Sequence, residues 1–79
     1  MKSFNLYSTE GCHLCEQAKA MALPLLQKYR CSLTEIEISD SDALMARFGV
    51  IIPVLECVES QQQLCWPFQP ADIEQLLQS

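Results

Sequence analysis

Apolar and polar positions follow two different rhythms along the first part of the chain. Residues 3–8 hold three large apolar side chains in a short run, which predicts a buried strand. Over residues 12–29, apolar side chains recur every three or four positions, the spacing of an amphipathic helix. We expect Thr9 or Gly11 to cap the start of this helix.

A second strand and a second helix follow. Residues 32–38 alternate between apolar and polar side chains, the pattern of a half-buried strand. Residues 39–42 are Ser, Asp, Ser and Asp, which favour helix N-caps, so a short helix is predicted from there through Phe48. Gly49 suits the left-handed residue that often ends a helix.

The last part of the chain predicts a hairpin and a closing helix. After Pro53, a strand is predicted over residues 54–58, a turn over 59–62 and a returning strand over 63–66. Pro70 suits the first turn of a final helix. The side chains expected to face inward from that helix are Ile73, Leu76 and Leu77.

These elements predict an α/β fold with the order β-α-β-α-β-β-α. The first strand, helix and second strand form a parallel pair joined by a right-handed crossover. The hairpin then completes a four-stranded mixed sheet with helices on both faces. No linker or repeat divides the chain, so residues 1–79 are predicted to form a single domain.

The charge balance excludes several classes of partner. The formal net charge is −5, and the five basic residues are scattered along the chain. Nucleic acids and anionic membranes are bound by clustered Lys and Arg, so neither is expected here. The N-terminal residues lack the apolar run of a signal peptide, and no stretch is long enough to span a bilayer. We therefore expect a cytoplasmic protein.

The candidate chemistry lies in Cys12-His13-Leu14-Cys15, just after the first predicted strand. Two thiols at this spacing can close a disulfide, and near a β-α-β pattern they indicate a dithiol redox site. Cys12 falls at the start of the helix, where unpaired amides and the helix dipole lower a thiol pKa from its usual value of about 8.5. Cys12 is thus predicted to be the nucleophile and Cys15 the resolving thiol.

Charged neighbours leave the strength of this activation open. His13 either stabilises the Cys12 thiolate, if it is protonated, or faces solvent without a chemical role. Glu10 and Glu16 act against the thiolate, because nearby negative charge raises its energy.

The remaining cysteines are isolated in the sequence. An odd number of cysteines without an export signal argues against a disulfide scaffold. Cys31, Cys57 and Cys65 are therefore predicted to be small buried hydrophobic residues. The aromatic segment Trp66-Pro67-Phe68 is expected to cover the core beneath the last helix.

The order of elements, the Cys-x-x-Cys after the first strand and an Ile-Pro before the third resemble the thioredoxin fold, and chain length resembles its glutaredoxin branch. More narrowly, the chain resembles a small bacterial glutaredoxin-like family over nearly its whole length. The segments that carry this resemblance are Leu6-Tyr7, Gly11-Cys12-His13-Leu14-Cys15-Glu16, Phe48-Gly49-Val50, Ile52-Pro53-Val54-Leu55 and Trp66-Pro67-Phe68.

The resemblance implies a substrate-binding surface around the dithiol. Pro53 would follow a cis peptide bond and pack opposite the two cysteines. The backbone of Ile52 would then be free to pair with an extended substrate. Leu14 and Tyr7 either flank the dithiol or pack in the core, and His13 lies between the cysteines. The implied substrate is a disulfide-containing protein or a low-molecular-weight thiol.

The chain departs from glutaredoxins where those proteins hold glutathione. Glu10 and Gly11 stand where a basic residue is common, and His13 and Leu14 replace the usual Pro and aromatic residue. No glycine-rich turn follows the fourth strand. Glutathione is anionic and this chain is acidic, so these departures argue against tight glutathione binding. Glutathione is kept as an alternative co-substrate, and no bound cofactor is expected.

Three functions from different classes fit the sequence. The first is a thiol-disulfide oxidoreductase, acting as a monomer. The second is a metal or iron–sulfur module, although Cys12, His13 and Cys15 supply fewer than the four ligands of a closed zinc site, and a cluster would need a dimer that shares Cys12. The third is a non-catalytic interaction domain that keeps the thioredoxin fold.

Overall fold

The computed structural model describes residues 2–78, which contain four strands, three α-helices and one 3₁₀ turn. The elements are β1 (Ser3–Ser8), α1 (His13–Lys28), β2 (Ser32–Glu37), the 3₁₀ turn (Ile38–Asp40), α2 (Asp42–Phe48), β3 (Val54–Cys57), β4 (Gln63–Cys65) and α3 (Pro70–Gln78). The predicted order β-α-β-α-β-β-α is confirmed.

The strands form one mixed sheet in the order β2-β1-β3-β4. β1 runs parallel to β2, as a crossover through α1 requires, and antiparallel to β3. β3 and β4 form the predicted antiparallel hairpin. Tyr7, near the end of β1, stands opposite Val54, the first residue of β3. The end of β1 and the start of β3 therefore meet at the same edge of the sheet.

The side chains on one face of the sheet pack beneath α1 and α3. Phe4 and Leu6 of β1 lie on this face beside Leu55 and Cys57 of β3, because side chains alternate across a strand. The helix residues that complete this cluster are Ala18, Ala22, Leu26, Ile73 and Leu76. Two of the five are alanines on α1, and their small side chains let that helix approach the sheet closely.

The opposite face of the sheet packs against α2. Tyr7 and Val54 join Ile38 and Phe48 in a second buried cluster. The rings of Tyr7 and Phe48 are stacked with centroids 4.2 Å apart. Helices therefore cover both faces of the sheet, as predicted.

The cap of α1 differs from the expectation. Cys12, rather than Thr9 or Gly11, is the N-cap residue, with an extended backbone at φ −89° and ψ 106°. Its Sγ accepts a hydrogen bond from the backbone amide of Cys15 at 3.1 Å. A sulfur atom thus takes the place that a hydroxyl or carboxylate oxygen usually occupies at a helix start.

The prediction of a left-handed Gly49 is wrong. Gly49 has φ −54° and ψ −30°, a right-handed helical conformation. A Cβ built on it would lie 2.5 Å from the carbonyl oxygen of Met45. The lack of space for a Cβ at the end of α2 therefore favours glycine here. The chain turns tightly at this point, and the amides of Ile51 and Ile52 both donate to the Phe48 carbonyl.

The cysteines outside the motif differ in exposure. Cys57 is fully buried in the core, as predicted, and Cys31 is partly buried. Cys65 is exposed, so the prediction of burial is wrong there. β4 is an edge strand of three residues, and its last position lacks the helix cover that buries Cys57.

The aromatic segment after β4 covers the core as expected. Phe68 is buried in the cluster beneath α1 and α3, and the half-buried Trp66 packs against that cluster. The two rings meet edge to face with centroids 5.1 Å apart.

Candidate dithiol site

The structure joins Cys12 and Cys15 in a disulfide. Their Cα atoms are 5.2 Å apart, within the usual disulfide range of about 4.4–6.8 Å. Cys12 caps α1 and Cys15 lies in its first turn, so the helix itself sets the separation.

The two sulfurs are not equivalent. Cys15 is only 5% exposed, whereas Cys12 lies at the helix start and is half-buried. The Cys15 amide points at the Cys12 sulfur, and the positive end of the helix dipole lies on the same side. Cys12 is therefore the more accessible of the two cysteines, and its sulfur is the one that accepts a backbone hydrogen bond.

The residues between the cysteines both face outward. His13 is exposed, and its Nδ1 lies 3.5 Å from Glu16 Oε2 on the next turn. Of the two interpretations of His13, the structure thus favours a solvent-facing ring that pairs with a carboxylate. Leu14 is exposed beside it.

The Ile52–Pro53 peptide bond is cis, as the resemblance implies. Pro53 immediately precedes Val54, which pairs with Tyr7, so it lies level with Ser8 at the end of β1. From Ser8 the chain turns directly toward Cys12. Pro53 is buried at the edge of the sheet from which the dithiol projects.

The backbone amide of Ile52 already has a partner within the chain, whereas pairing of a substrate with the Ile52 carbonyl stays a prediction. The Ile52 amide donates to the Phe48 carbonyl at 3.2 Å, because the chain after α2 turns tightly. A substrate strand cannot pair with that amide unless this bond breaks.

Three large apolar side chains are exposed at the motif and before Pro53. Leu14 lies between the two cysteines, and Val50 and Ile51 lie on the loop that leads to Pro53. Val50 is 97% exposed, which is unusual for a valine in a domain with an ordered core. These side chains leave apolar groups accessible to solvent near the two ends of the site, at the motif and before Pro53.

A cavity of about 280 Å³ adjoins the disulfide on the side of β2. Both cysteines line it, together with Ser8 and with carboxylates that include Glu10 and Glu16. Glu37, the last residue of β2, anchors the loop at its rim by accepting the Glu10 amide at 2.8 Å.

Glu37 has a structural role that the sequence analysis missed. It also accepts the Ser39 amide at 3.1 Å, and these backbone hydrogen bonds hold the pKa of its carboxyl below the ordinary value. A carboxylate at a strand end, two positions before Ser39, is the only local signal of this role.

Two further classes of feature are absent from the described part of the chain. Within residues 2–78, no group of three or more His, Cys, Asp or Glu side chains is arranged to hold a metal ion. No helix in that range has the length and apolar character needed to cross a membrane.

Comparison with protein families gives a match over residues 4–78 to the family described as Glutaredoxin-like domain (DUF836). A comparison with curated protein sequences gave no match.

Solved structures supply close relatives in shape. The protein XcR50 from X. campestris is 30% identical, with a TM-score of 0.76 and coverage of 95% of both chains. Protein Ne2328 from Nitrosomonas europaea is 30% identical, with a TM-score of 0.79, covering 96% of this chain and 89% of that one. The oxidized form of mitochondrial thioredoxin 3 from Saccharomyces cerevisiae is 15% identical, with a TM-score of 0.69 and coverage of 98% and 76%, which shows the shared fold alone.

Proposed function

Because the chain belongs to the family of glutaredoxin-like domains, we propose that it is a thiol-disulfide oxidoreductase with a dithiol mechanism. Cys12 is the nucleophile and Cys15 the resolving thiol. The observation that carries this proposal is the hydrogen bond from the Cys15 amide to Cys12 Sγ at the start of α1. The same turn that stabilises a Cys12 thiolate holds Cys15 within bonding distance and nearly buried.

The reaction proceeds in two exchanges. In the reduced protein, the Cys12 thiolate attacks one sulfur of a substrate disulfide, forming a mixed disulfide and releasing the other substrate sulfur as a thiolate that takes up a proton. The Cys15 thiol then loses its proton and attacks Cys12 Sγ. The Cys12–Cys15 disulfide closes, and the second substrate thiol leaves. The substrate gains two electrons and two protons, which the protein dithiol loses.

One chain holds every group that these steps require. Both sulfurs lie on the same helix turn, so a monomer is sufficient. The exposed side chains of Leu14, Val50 and Ile51 offer apolar contacts to a substrate near the dithiol. A protein disulfide fits this surface, and bound glutathione is not needed for the exchange.

Two measurements test the proposal: the pH dependence of cysteine alkylation and the rate of disulfide reduction. The reduced protein is alkylated with iodoacetamide between pH 5 and pH 10, and the modified cysteine is identified by peptide mapping. We expect Cys12 to react first, with a pKa below the usual value of about 8.5. In a coupled assay with a peptide disulfide, Cys12→Ser abolishes reduction. The proposal fails if Cys12 titrates as an ordinary thiol and the wild-type protein reduces no disulfide.

A further inference from the structure

Carboxylates surround the β2 side of the disulfide. Glu10 and Glu16 line the same cavity of about 280 Å³ as the two cysteines. Both glutamates are exposed, and Glu10 is separated from Cys12 by Gly11 alone. The loop before α1 and the first turns of α1 form most of the cavity wall, and β1 and β2 supply the rest through Ser8 and Glu35.

The cation in this cavity is already paired. Lys19 lines it from α1, and its Nζ forms an ion pair with Glu35 of β2. Glu37 does not line the cavity itself, but its carboxylate lies next to it and accepts the Glu10 amide. Three carboxylates, those of Glu10, Glu16 and Glu35, therefore line the cavity beside the two sulfurs, together with one lysine.

His13 is the remaining group that can carry positive charge here. Its Nδ1 lies 3.5 Å from Glu16 Oε2, so a positive charge on the ring would be offset by that carboxylate. The other described cations lie elsewhere: Lys2 bonds to the Leu77 carbonyl, Lys28 lies over Tyr29, Arg47 lies over Phe48, and Arg30 follows the far end of α1. The side-chain charges around the dithiol are thus mostly negative.

We propose that this carboxylate-lined flank makes the protein selective for peptide or protein disulfides that carry Lys or Arg beside the reactive cysteine. This inference rests on the proposed function and names its substrate class. The cavity is smaller than the usual small-molecule pocket of about 300–1,000 Å³, and it suits a single long side chain. An anionic disulfide such as oxidised glutathione meets repulsion from the same carboxylates.

The chemical reason lies in the charge of the exchange. Thiolate attack on a disulfide spreads one negative charge over three sulfurs, next to the carboxylates that already repel it. A substrate ammonium or guanidinium in the cavity lies between these charges and offsets the repulsion. The bonds formed and broken, and the two electrons transferred, are those of the dithiol mechanism above.

The test compares three symmetrical disulfides of the acetylated dipeptide amides Lys-Cys, Gln-Cys and Glu-Cys. Fully reduced protein is mixed with each in single-turnover experiments at low salt. Each rate is divided by the rate of the same disulfide with 2-mercaptoethanol, which removes differences in intrinsic reactivity. We expect the normalised Lys-Cys rate to exceed the Glu-Cys rate about tenfold, and 0.5 M salt to reduce this ratio, as for other electrostatic effects on association.

Two variants locate the effect. Glu10→Gln is expected to lower the ratio at least threefold, because it removes an unpaired carboxylate from the cavity. Glu74→Gln on α3 removes the same charge from a different surface and should leave the ratio unchanged.

The outcomes separate the two proposals. Equal normalised rates for the three peptides overturn the charge preference while leaving the oxidoreductase intact. A preference that Glu10→Gln and Glu74→Gln reduce equally also overturns it, because the effect then comes from net charge. If none of the three disulfides is reduced, the proposed function itself fails and the preference falls with it.

Discussion

Tyr7 Oη donates a 2.7 Å hydrogen bond to Glu56 Oε1, on the face of the sheet that packs against α2. Gln63 Nε2 donates to the other oxygen of that carboxylate at 3.0 Å, so the group links three neighbouring strands. Burial raises the pKa of the Glu56 carboxyl, but hydrogen bonds from Tyr7 and Gln63 outweigh it, and the pKa lies below the ordinary value. Burial, followed by the bond to Glu56, raises the pKa of Tyr7.

Tyr7 thus has a structural role in the core beneath α2. Its ring stacks on Phe48, and its hydroxyl turns to Glu56. The Phe48 carbonyl in turn accepts the amides of Ile51 and Ile52, which hold the loop before Pro53. The core beneath α2 therefore supports the loop that carries the cis proline.

Tyr7→Phe keeps the ring stack and removes the bond to Glu56. We expect the free energy of unfolding to fall by about 1–2 kcal/mol, below the full value for a bond to a charged group because the carboxylate is only partly buried. Urea denaturation at pH 7 measures the change. Tyr29→Phe, at an exposed tyrosine, is the matched control and should change little. An unchanged midpoint for Tyr7→Phe contradicts this role.

Stability should fall in acid because Glu37, Glu56 and Glu59 all have lowered pKa values in the folded protein. A carboxyl with a lowered folded pKa stabilises the protein above its unfolded value near 4.5, and this contribution is lost as the pH falls through the folded value. Denaturation between pH 7 and pH 3 should show this loss. Glu56→Gln should flatten the acid limb, and Glu74→Gln should not. Equal slopes in both variants would argue against the Glu56 network.

The two glycines of the chain should respond differently to substitution. Gly49→Ala places a Cβ 2.5 Å from the Met45 carbonyl oxygen, and overpacking of this kind costs about 1–3 kcal/mol. Gly11 has φ +79° and nothing within 4 Å of an added Cβ, so Gly11→Ala is limited only by backbone strain of about 1–2 kcal/mol.

Asparagine separates these two causes, because it tolerates the left-handed conformation better than alanine does. Gly11→Asn should therefore be more stable than Gly11→Ala in thermal denaturation. Gly49→Asn should be no better than Gly49→Ala. If asparagine restores stability at position 49, space is not the constraint there.

Val50→Ser tests the exposed apolar surface before Pro53. Val50 is 97% exposed, so the free energy of unfolding should stay within about 0.5 kcal/mol of the wild-type value. If substrates bury this side chain, kcat/KM for a peptide disulfide with an apolar neighbour should fall about fivefold, as partial burial of a valine suggests. Val58→Ser, at a 43% exposed valine after β3, is the control. Equal kcat/KM for both variants removes Val50 from the binding surface.

The apolar pattern predicts most of the fold because side chains alternate across strands and recur along helices. Phe4 and Leu6 pack beneath α1 and α3, whereas Tyr7 packs against α2, because adjacent residues of β1 point to opposite faces of the sheet. The Cys-x-x-Cys spacing likewise predicts the closed pair, since one helix turn brings Cys12 and Cys15 together.

The remaining features depend on contacts between segments far apart in the sequence. The Ile52 amide is occupied because the turn after α2 directs it at Phe48, which no local pattern encodes. The negative cavity forms because the pairing of β1 with β2 brings Glu35 and Glu37 beside Glu10. The exposure of Cys65 follows from its place on an edge strand.

The central claim is that Cys12 attacks and Cys15 resolves, and trapping the mixed disulfide tests it most directly. In a background with Cys31→Ser and Cys65→Ser, which removes the more accessible other thiols, Cys15→Ser and Cys12→Ser proteins are each mixed with a peptide disulfide. The adducts are located by peptide mapping and mass spectrometry. The account predicts a stable adduct on Cys12 in the Cys15→Ser protein and none on Cys15 in the Cys12→Ser protein. An adduct that forms first on Cys15, or no adduct on Cys12, would contradict it.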